Sequence, residues 1–453
     1  MSIWTLIIGY GLVLLFIGSR TKKAENLDDL NIASGKMNWI ASAFGIAASW
    51  IWAPALLVAG EKAFLQGFTG VFWFIAPNVL TLIVFAFISE RALNKLKNEH
   101  TLSELMSNIY GSKRIKTIYN FELLTLSGLS VAVQLLAGAN VIRYVADINF
   151  GLLTVFFAVI ALIYTWGSGF RANVITDVVQ MIVMMVAVTV ALIVIMPGAT
   201  LDFGGVEKVS TNFFSRDNWL IFLTYGLTTT IGLISGPVGD QSYWQVAFSM
   251  DKKRVKHSFM LSALIFATVP VSMAFIGFAG AGAGFAPENI GYVGLEFIRA
   301  NASYGVYALF ILAIISGLTS TLDSCMTAVG SIFSNLGSKR TGMKEARIGM
   351  VVVAVFGIVI ANIPNLTIFW LFLFYGVLRS SILVPTVITM VKRKLPSESS
   401  IFYGILGAFF IGIPIYFYGA LNDVVPISVL GTIMTVLIPT ISILLGYKTR
   451  RKA

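Results

Sequence analysis

Gly45-Ile46-Ala47-Ala48-Ser49-Trp50-Ile51-Trp52-Ala53-Pro54 lies inside an apolar segment, 39–60, and carries a proline where an unbroken helix would need a backbone donor. Proline gives no N–H to the helical ladder, and its ring crowds the preceding turn. In hydrocarbon, backbone groups freed at such a point must be met by protein, water or an ion. A second interruption follows at Gly232-Leu233-Ile234-Ser235-Gly236-Pro237-Val238-Gly239-Asp240-Gln241. Interrupted apolar segments at corresponding positions of two halves are the best sequence pointer to a transporter's binding site. Five segments (2–6) begin at the first interruption and five more (7–11) at the second. Five is odd, so the second group runs inverted.

The whole chain fits that reading. It has 453 residues, 57% hydrophobic and 12% charged. Soluble domains carry about 25% charged residues, so a water-soluble globular protein is excluded. The hydropathy gives thirteen apolar segments, at roughly 2–18, 39–60, 68–89, 117–141, 150–166, 172–196, 218–237, 258–285, 304–334, 347–363, 366–390, 401–420 and 425–446. The expected class is an all-α integral membrane protein of about thirteen transmembrane helices. The expected divisions are an extra N-terminal helix and loop (1–38), a first five-helix repeat (39–196), an outer loop (197–217), a second repeat (218–391), and two final helices with a basic tail (392–453).

Of the 32 Lys and Arg, 26 fall in one set of alternate loops. Five (Lys62, Arg143, Lys208, Arg216 and Arg299) fall in the other, and Arg379 lies within a span. Cytoplasmic loops are enriched in Lys and Arg, so the N-terminus is expected outside and the C-terminus inside. The net charge of +11 is then a topology signal rather than a nucleic-acid footprint. The single Cys325 and the two histidines, His100 and His257, exclude a disulfide framework and a histidine metal site.

Charges inside spans are costly and mark function by default. Asp177 sits in Thr176-Asp177-Val178-Val179-Gln180, and Asp323 in Ser320-Thr321-Leu322-Asp323-Ser324. Both have hydroxyl or amide neighbours in sequence, with no adjacent cation. The bland reading of each is a structural hydrogen-bond knot. Glu122 reads as a carboxylate snorkelling to the cytoplasmic surface. At helical spacing Gly317, Ser320, Thr321 and Ser324 share one face, which offers a carbonyl and hydroxyl oxygens of the kind hard cations take. The alternative is small-residue helix packing, which is also the simpler reading of Gly277 to Gly284.

Three stretches, Ala47 to Pro54, Gly167-Ser168-Gly169-Phe170-Arg171 through Asp177 and Gln180, and Ser320-Thr321 with Asp323-Ser324, together resemble the sodium/solute symporter family, which includes proline, sugar, sialic acid and urea symporters. The resemblance spans nearly the whole chain and implies a leucine-transporter-like fold with five-plus-five inverted repeats. It implies a main sodium site at Ala48, Ile51, Gly317, Ser320 and Thr321. It also implies a second cation site at Asp177, Asp323 and Ser324, with Ser320 shared. Asp323 departs from the hydroxyl expected in family members with this second site, which leaves sodium against proton open.

The segment from Gly239 to Gln245 and the aromatic run Val71 to Phe74 resemble the urea-like branch, with the proline-like branch beside it. The expected solute contacts are Trp50, Trp73, Asp240, Gln241 and Arg379. Asp240 either receives N–H groups of a solute or caps a half-helix. Arg379 either grips a carboxylate or neutralises a buried Asp. The resulting expectation is a sodium-coupled symporter in the cell membrane, working as a monomer unit. It would import urea, an amide or a small amino acid, with no organic cofactor and no nucleic-acid partner. A membrane enzyme would need a nucleophile-base set, and none is visible. A transporter-like sensor would need an appended signalling domain.

Overall fold

The computed structural model describes residues 3–96, 98–337, 340–364, 366, 368–422 and 424–450. Lys97, Lys339, Arg451 and Lys452, used above in the loop charge balance, lie outside the described residues. The principal helices in chain order are α1 (Ile3–Arg20), α2 (Trp39–Trp50), α3 (Ala53–Leu93), α4 (Lys113–Ala146), α5 (Phe150–Ser168), α6 (Phe170–Ile195) and α7 (216–234). They continue with α8 (Gln241–Phe248), α9 (Lys252–Gly282), α10 (Tyr304–Phe333), α11 (Met343–Ala361), α12 (Ile368–Ser380), α13 (Leu383–Val391), α14 (Glu398–Leu421) and α15 (Val425–Arg450). Among the described residues, ten helices are long and apolar enough to cross a membrane.

The first interruption is where the sequence puts it. Helix α2 starts at an N-cap, where Asn38 accepts from Ile40 N and Ala41 N. It stops at Ile51 (φ −88°, ψ 77°), Trp52 is extended, and α3 restarts with Pro54 in its first turn. That position costs proline nothing, because a first-turn N–H has no intrahelical partner anyway. Helix α3 turns at Gly67, whose φ of +59° suits glycine alone, and a Cβ there would lie 2.0 Å from Phe203 O. The segment 197–217 thus packs over the turn, with Phe68 N donating to Phe203 O (2.8 Å) and Val206 N to Phe64 O (2.8 Å).

The second interruption separates α7 from α8. A short helical turn, Gly236–Gly239, ends at an extended Asp240 (φ −117°, ψ 119°), whose side chain accepts from Ser242 N at the head of α8. A third break, not anticipated, divides the 366–390 segment at Ser381 and Ile382, between α12 and α13. The bundle closes around α10, which packs against α6, α4 and α11, while α9 lies along α3 and α2. Helix α10 is buried from Ala313 to Ile332 without interruption, so its hydroxyls and Asp323 face protein on every side.

Candidate functional site

Helix α10 meets the break after α2 at Gly317. A Cβ there would lie 2.7 Å from Ile51 O, so only glycine lets the two backbones approach this closely. One turn further, Thr321 Oγ1 donates to Ser49 O (3.1 Å) or Gly317 O (3.1 Å). Ser49 Oγ lies 2.8 Å from Ser324 Oγ and 3.5 Å from Ser320 Oγ. The expected residues Ala48, Ile51, Gly317, Ser320, Thr321 and Ser324 therefore surround one junction of α2 and α10. Its chemistry is carbonyl and hydroxyl oxygen throughout, a donor set that fits a hard monovalent cation. Ile51 N points back to Ala47 O and Ala48 O (3.0 and 3.1 Å).

Below that junction lie the two carboxylates, 2% and 0% exposed for Asp177 and Asp323. Ser320 Oγ donates to Asp177 Oδ1 (2.6 Å). Tyr164 Oη donates to Asp323 Oδ2 (2.5 Å), and Thr176 Oγ1 lies 3.3 Å from the same oxygen. With the Asn173 amide turned so that both its atoms find complementary partners, its nitrogen donates to Asp323 Oδ1 (3.0 Å) and Asp177 Oδ2 (2.8 Å) and so bridges the pair. Turned likewise, Gln180 donates to Asp177 Oδ1 (3.1 Å) and accepts from Thr319 Oγ1 (2.8 Å). Tyr10 of α1 closes the cluster through Ser316 Oγ (2.9 Å). No Lys, Arg or His ion-pairs with either carboxylate among the described residues. Buried carboxylates without such a partner need a bound cation or a proton.

Beside the same junction is a cavity of about 30 Å³. Ser49 and Thr321 line it, together with Trp50, Asp240, Tyr243, Tyr375 and Arg379. Asp240 Oδ1 accepts from Ser242 N and Oγ (2.9 and 2.7 Å), and Oδ2 accepts from Tyr375 Oη (3.0 Å). Asp240 is thus both a half-helix cap and a wall of the cavity. Arg379 forms no ion pair with Asp240. Its guanidinium stacks 4.6 Å over the Tyr375 ring, and its Nε has no hydrogen-bond partner. Trp50 Nε1 is likewise buried without a partner, and its ring meets Tyr243 edge-on at 5.4 Å.

Two expected solute contacts lie elsewhere. Trp73 donates to Asn218 Oδ1 (2.9 Å) and sits among Phe72, Phe213 and Phe222, outside the cavity lining. Gln241 opens α8, and Asp240 in its extended turn caps that helix while Gln241 reaches the polar connections. There it donates to His100 O (3.0 Å) and accepts from Leu102 N (3.0 Å). Glu122 does not snorkel. It is 1% exposed, with Ser381 as its hydrogen-bonding neighbour. Residues that the sequence reading passed over are Ser49, Asn173, Tyr164, Tyr10 and Tyr375. Asn173 carried a usable signal, standing one helical turn before Asp177 on the same face.

A profile described as the sodium:solute symporter family matches residues 31–407. The chain belongs to this family. It is 22% identical over 450 residues to a probable urea active transporter of Schizosaccharomyces pombe, covering 88% of this chain and 67% of that protein. It is 21% identical to a urea-proton symporter of Oryza sativa (80% and 56% covered), and 22% identical to a sodium/sialic acid symporter of Proteus mirabilis (78% and 76% covered). The chain spans about half to two thirds of the length of the urea transporters it matches. A Na+-coupled sialic acid symporter in a substrate-bound outward-open state superposes with a TM-score of 0.78 at 17% identity, over 98% of this chain and 97% of that one. A nucleobase-cation-symport-1 family transporter superposes with 0.60 at 15% identity, over 93% and 95%. The fold is theirs, leucine-transporter-like, and its regular elements among the described residues are all helices. This family member is a multi-pass membrane protein.

Proposed function

We propose that this protein couples the import of a small amide, with urea the leading candidate, to inward movement of sodium. The observation that carries the reading is the double use of Ser49 and Thr321. Both line the solute cavity and both belong to the oxygen cluster around Gly317, Ser320 and Ser324. A cation bound to those oxygens would stiffen one wall of the cavity, and a solute pressed on that wall would in turn favour the cation.

The cavity's chemistry supports the solute. One water needs about 10–15 Å³ of such volume, so about 30 Å³ suits a few heavy atoms and not a sugar ring. Trp50 Nε1 and Arg379 Nε offer unused donors to a carbonyl oxygen, and Asp240 offers an acceptor to N–H groups. The lack of an ion pair at Arg379 also favours a second solute class. A small amino acid would set its carboxylate on Arg379 and its ammonium toward Asp240.

The sodium sites we propose are Ala48, Ile51, Gly317, Ser320 and Thr321 above, and Asp177, Asp323 and Ser324 below. The architecture we propose has thirteen crossings, N-terminus outside and C-terminus inside, with inverted repeats at 39–196 and 218–391. Support comes from the Gly67 turn inside α3, which divides its 41 residues between two crossings. Uptake of labelled urea, and of labelled proline, into vesicles with and without an inward sodium gradient tests the function. Gradient-driven accumulation of either supports it. Equal equilibration with and without the gradient overturns coupling.

A further inference from the structure

Among the described residues, Glu122 is a deeply buried span carboxylate that neither the solute cavity nor the cation cluster uses. It stands nine residues into α4, about 13 Å from the helix start, and about 12 Å short of Ser130 in the cavity lining. It is 1% exposed, Oε2 has no hydrogen-bond partner, and no Lys, Arg or His pairs with it among the described residues.

Ser381 Oγ donates to Glu122 Oε1 (3.1 Å), sharing its hydrogen with Leu378 O (2.7 Å), while Oε2 has no donor. A charged carboxylate at this depth would be unpaired and desolvated.

Ser381 occupies the break between α12 and α13, and separate hydroxyl pairs stand on either side of it along these helices. Toward the cavity, Ser380 Oγ lies 3.0 Å from Ser235 Oγ, next to Arg379. The other way, Tyr119 Oη lies 2.9 Å from Thr386 Oγ1, and Tyr110 Oη lies 2.9 Å from Thr389 Oγ1. Lys95 Nζ caps the row at Thr389 O. This is the end of the bundle that holds the basic connections.

We propose that Glu122 is a proton-binding site, separate from the Asp177–Asp323 pair, that exchanges its proton with the Lys95 end along this hydroxyl row. The carboxylate takes a proton from water at that end to become the neutral acid, and returns it the same way. The titratable groups on the elements around it are Tyr119 on α4, Tyr110 on the 102–110 helix, Lys95 on α3, and Glu398 on α14, which accepts from Ser112 at the base of α4 (2.5 Å). Others on packed elements are Glu104 on the 102–110 helix, Tyr164 on α5, Tyr375 and Arg379 on α12, Tyr403 on α14, Asp240 beyond Ser235, Asp323 and Cys325 on α10, and Lys344, Glu345 and Arg347 on α11.

The proposal depends on the symporter fold and not on urea as the solute, and its first test needs no solute. Infrared spectra of the reconstituted protein are recorded from pH 6 to pH 10, for wild type and for Glu122→Gln, Glu122→Asp and Tyr119→Phe. Wild type should show a carboxylic-acid C=O band that weakens as pH rises and is lost in Glu122→Gln. In Glu122→Asp the band should persist at a shifted position, and in Tyr119→Phe it should persist but respond more slowly to a pH jump. Identical spectra for wild type and Glu122→Gln overturn the site, and an unaltered response in Tyr119→Phe overturns the row as its path. Labelled urea uptake then reports separately. Failure of wild type to accumulate urea would sink the proposed solute and leave the infrared result standing.

Discussion

At the scale of single residues, the hydroxyls of α10 separate the cation from the solute. Ser320 touches Asp177 but does not line the cavity, whereas Thr321 belongs to both. Loss of a hydrogen bond to a charged group costs about 1.5–3 kcal/mol. Ser320→Ala should therefore raise the sodium concentration for half-maximal uptake roughly tenfold or more, and Thr321→Ala, which removes an oxygen of the proposed site, should raise it as well. Sodium activation curves check this, and unchanged curves in both variants would remove these residues from the cation site. Asp240→Asn keeps the α8 cap but removes the charge. It should weaken solute affinity by a clearly larger factor than it shifts sodium activation, as competition binding would show.

The residue scale is also where sequence reading fell short. The pairing of Asp177 with Ser320 was legible only through the family resemblance, since Ser320 stands on a distant helix. Glu122 was misread because position along a helix gives depth, while burial depends on what α12 and α13 lay against it. Trp73 and Gln241 fall outside the cavity lining for a related reason. Their segments resemble a solute-binding pattern, yet Asp240 ends the break one residue earlier, and α8 carries Gln241 away to His100 and Leu102.

At the scale of elements, the first two breaks were legible from proline and glycine, and the third was not, since Ser381-Ile382 contains neither. Close approach at the first break rests on Gly317. Overpacking typically costs about 1–3 kcal/mol, and here the obstacle is the Ile51 carbonyl at 2.7 Å, backbone that has little room to yield. Gly317→Ala should lower both thermal stability and uptake, while Gly9→Ala, where a Cβ meets nothing within 4 Å, should leave both unchanged.

Helix α8 is bolted to the connections by a second polar cluster. Gln245 Nε2 donates to Asn31 O (2.5 Å), and Asn31 Nδ2 lies 3.3 Å from His100 Nδ1. His100 Nε2 lies 3.0 Å from Asp28 Oδ1, and Arg340 pairs twice with Glu104 at 3.1 Å. Burial, and then the charge of Arg340, pulls His100 from its usual 6.5 down to about 4. The closed cluster thus holds fewer protons than the opened one between about pH 4 and pH 6.5. Its contribution is full above that window and is lost as pH falls through it. Spin-label distances between the 27–32 helix and α8 should lengthen from pH 7 to pH 5 in wild type and lose that dependence in His100→Gln. A pH-independent distance in wild type would remove the histidine from the closure.

At the scale of the whole molecule, the sequence carried the helical, membrane-spanning class because apolar length is a one-dimensional signal. It could not carry the junction itself, where Ser49, Thr321 and Asp240, from three distant segments, come to border one cavity. A shared junction has reciprocity as its consequence: sodium must tighten solute binding by the factor by which solute tightens sodium binding, commonly about 5–150-fold. The most direct measurement is equilibrium binding of labelled urea to purified protein across a range of sodium concentrations, with potassium holding ionic strength constant. Affinity should rise at least about fivefold with sodium in wild type and lose most of that dependence in Thr321→Ala. Measurable urea binding with the same affinity at every sodium concentration would contradict it.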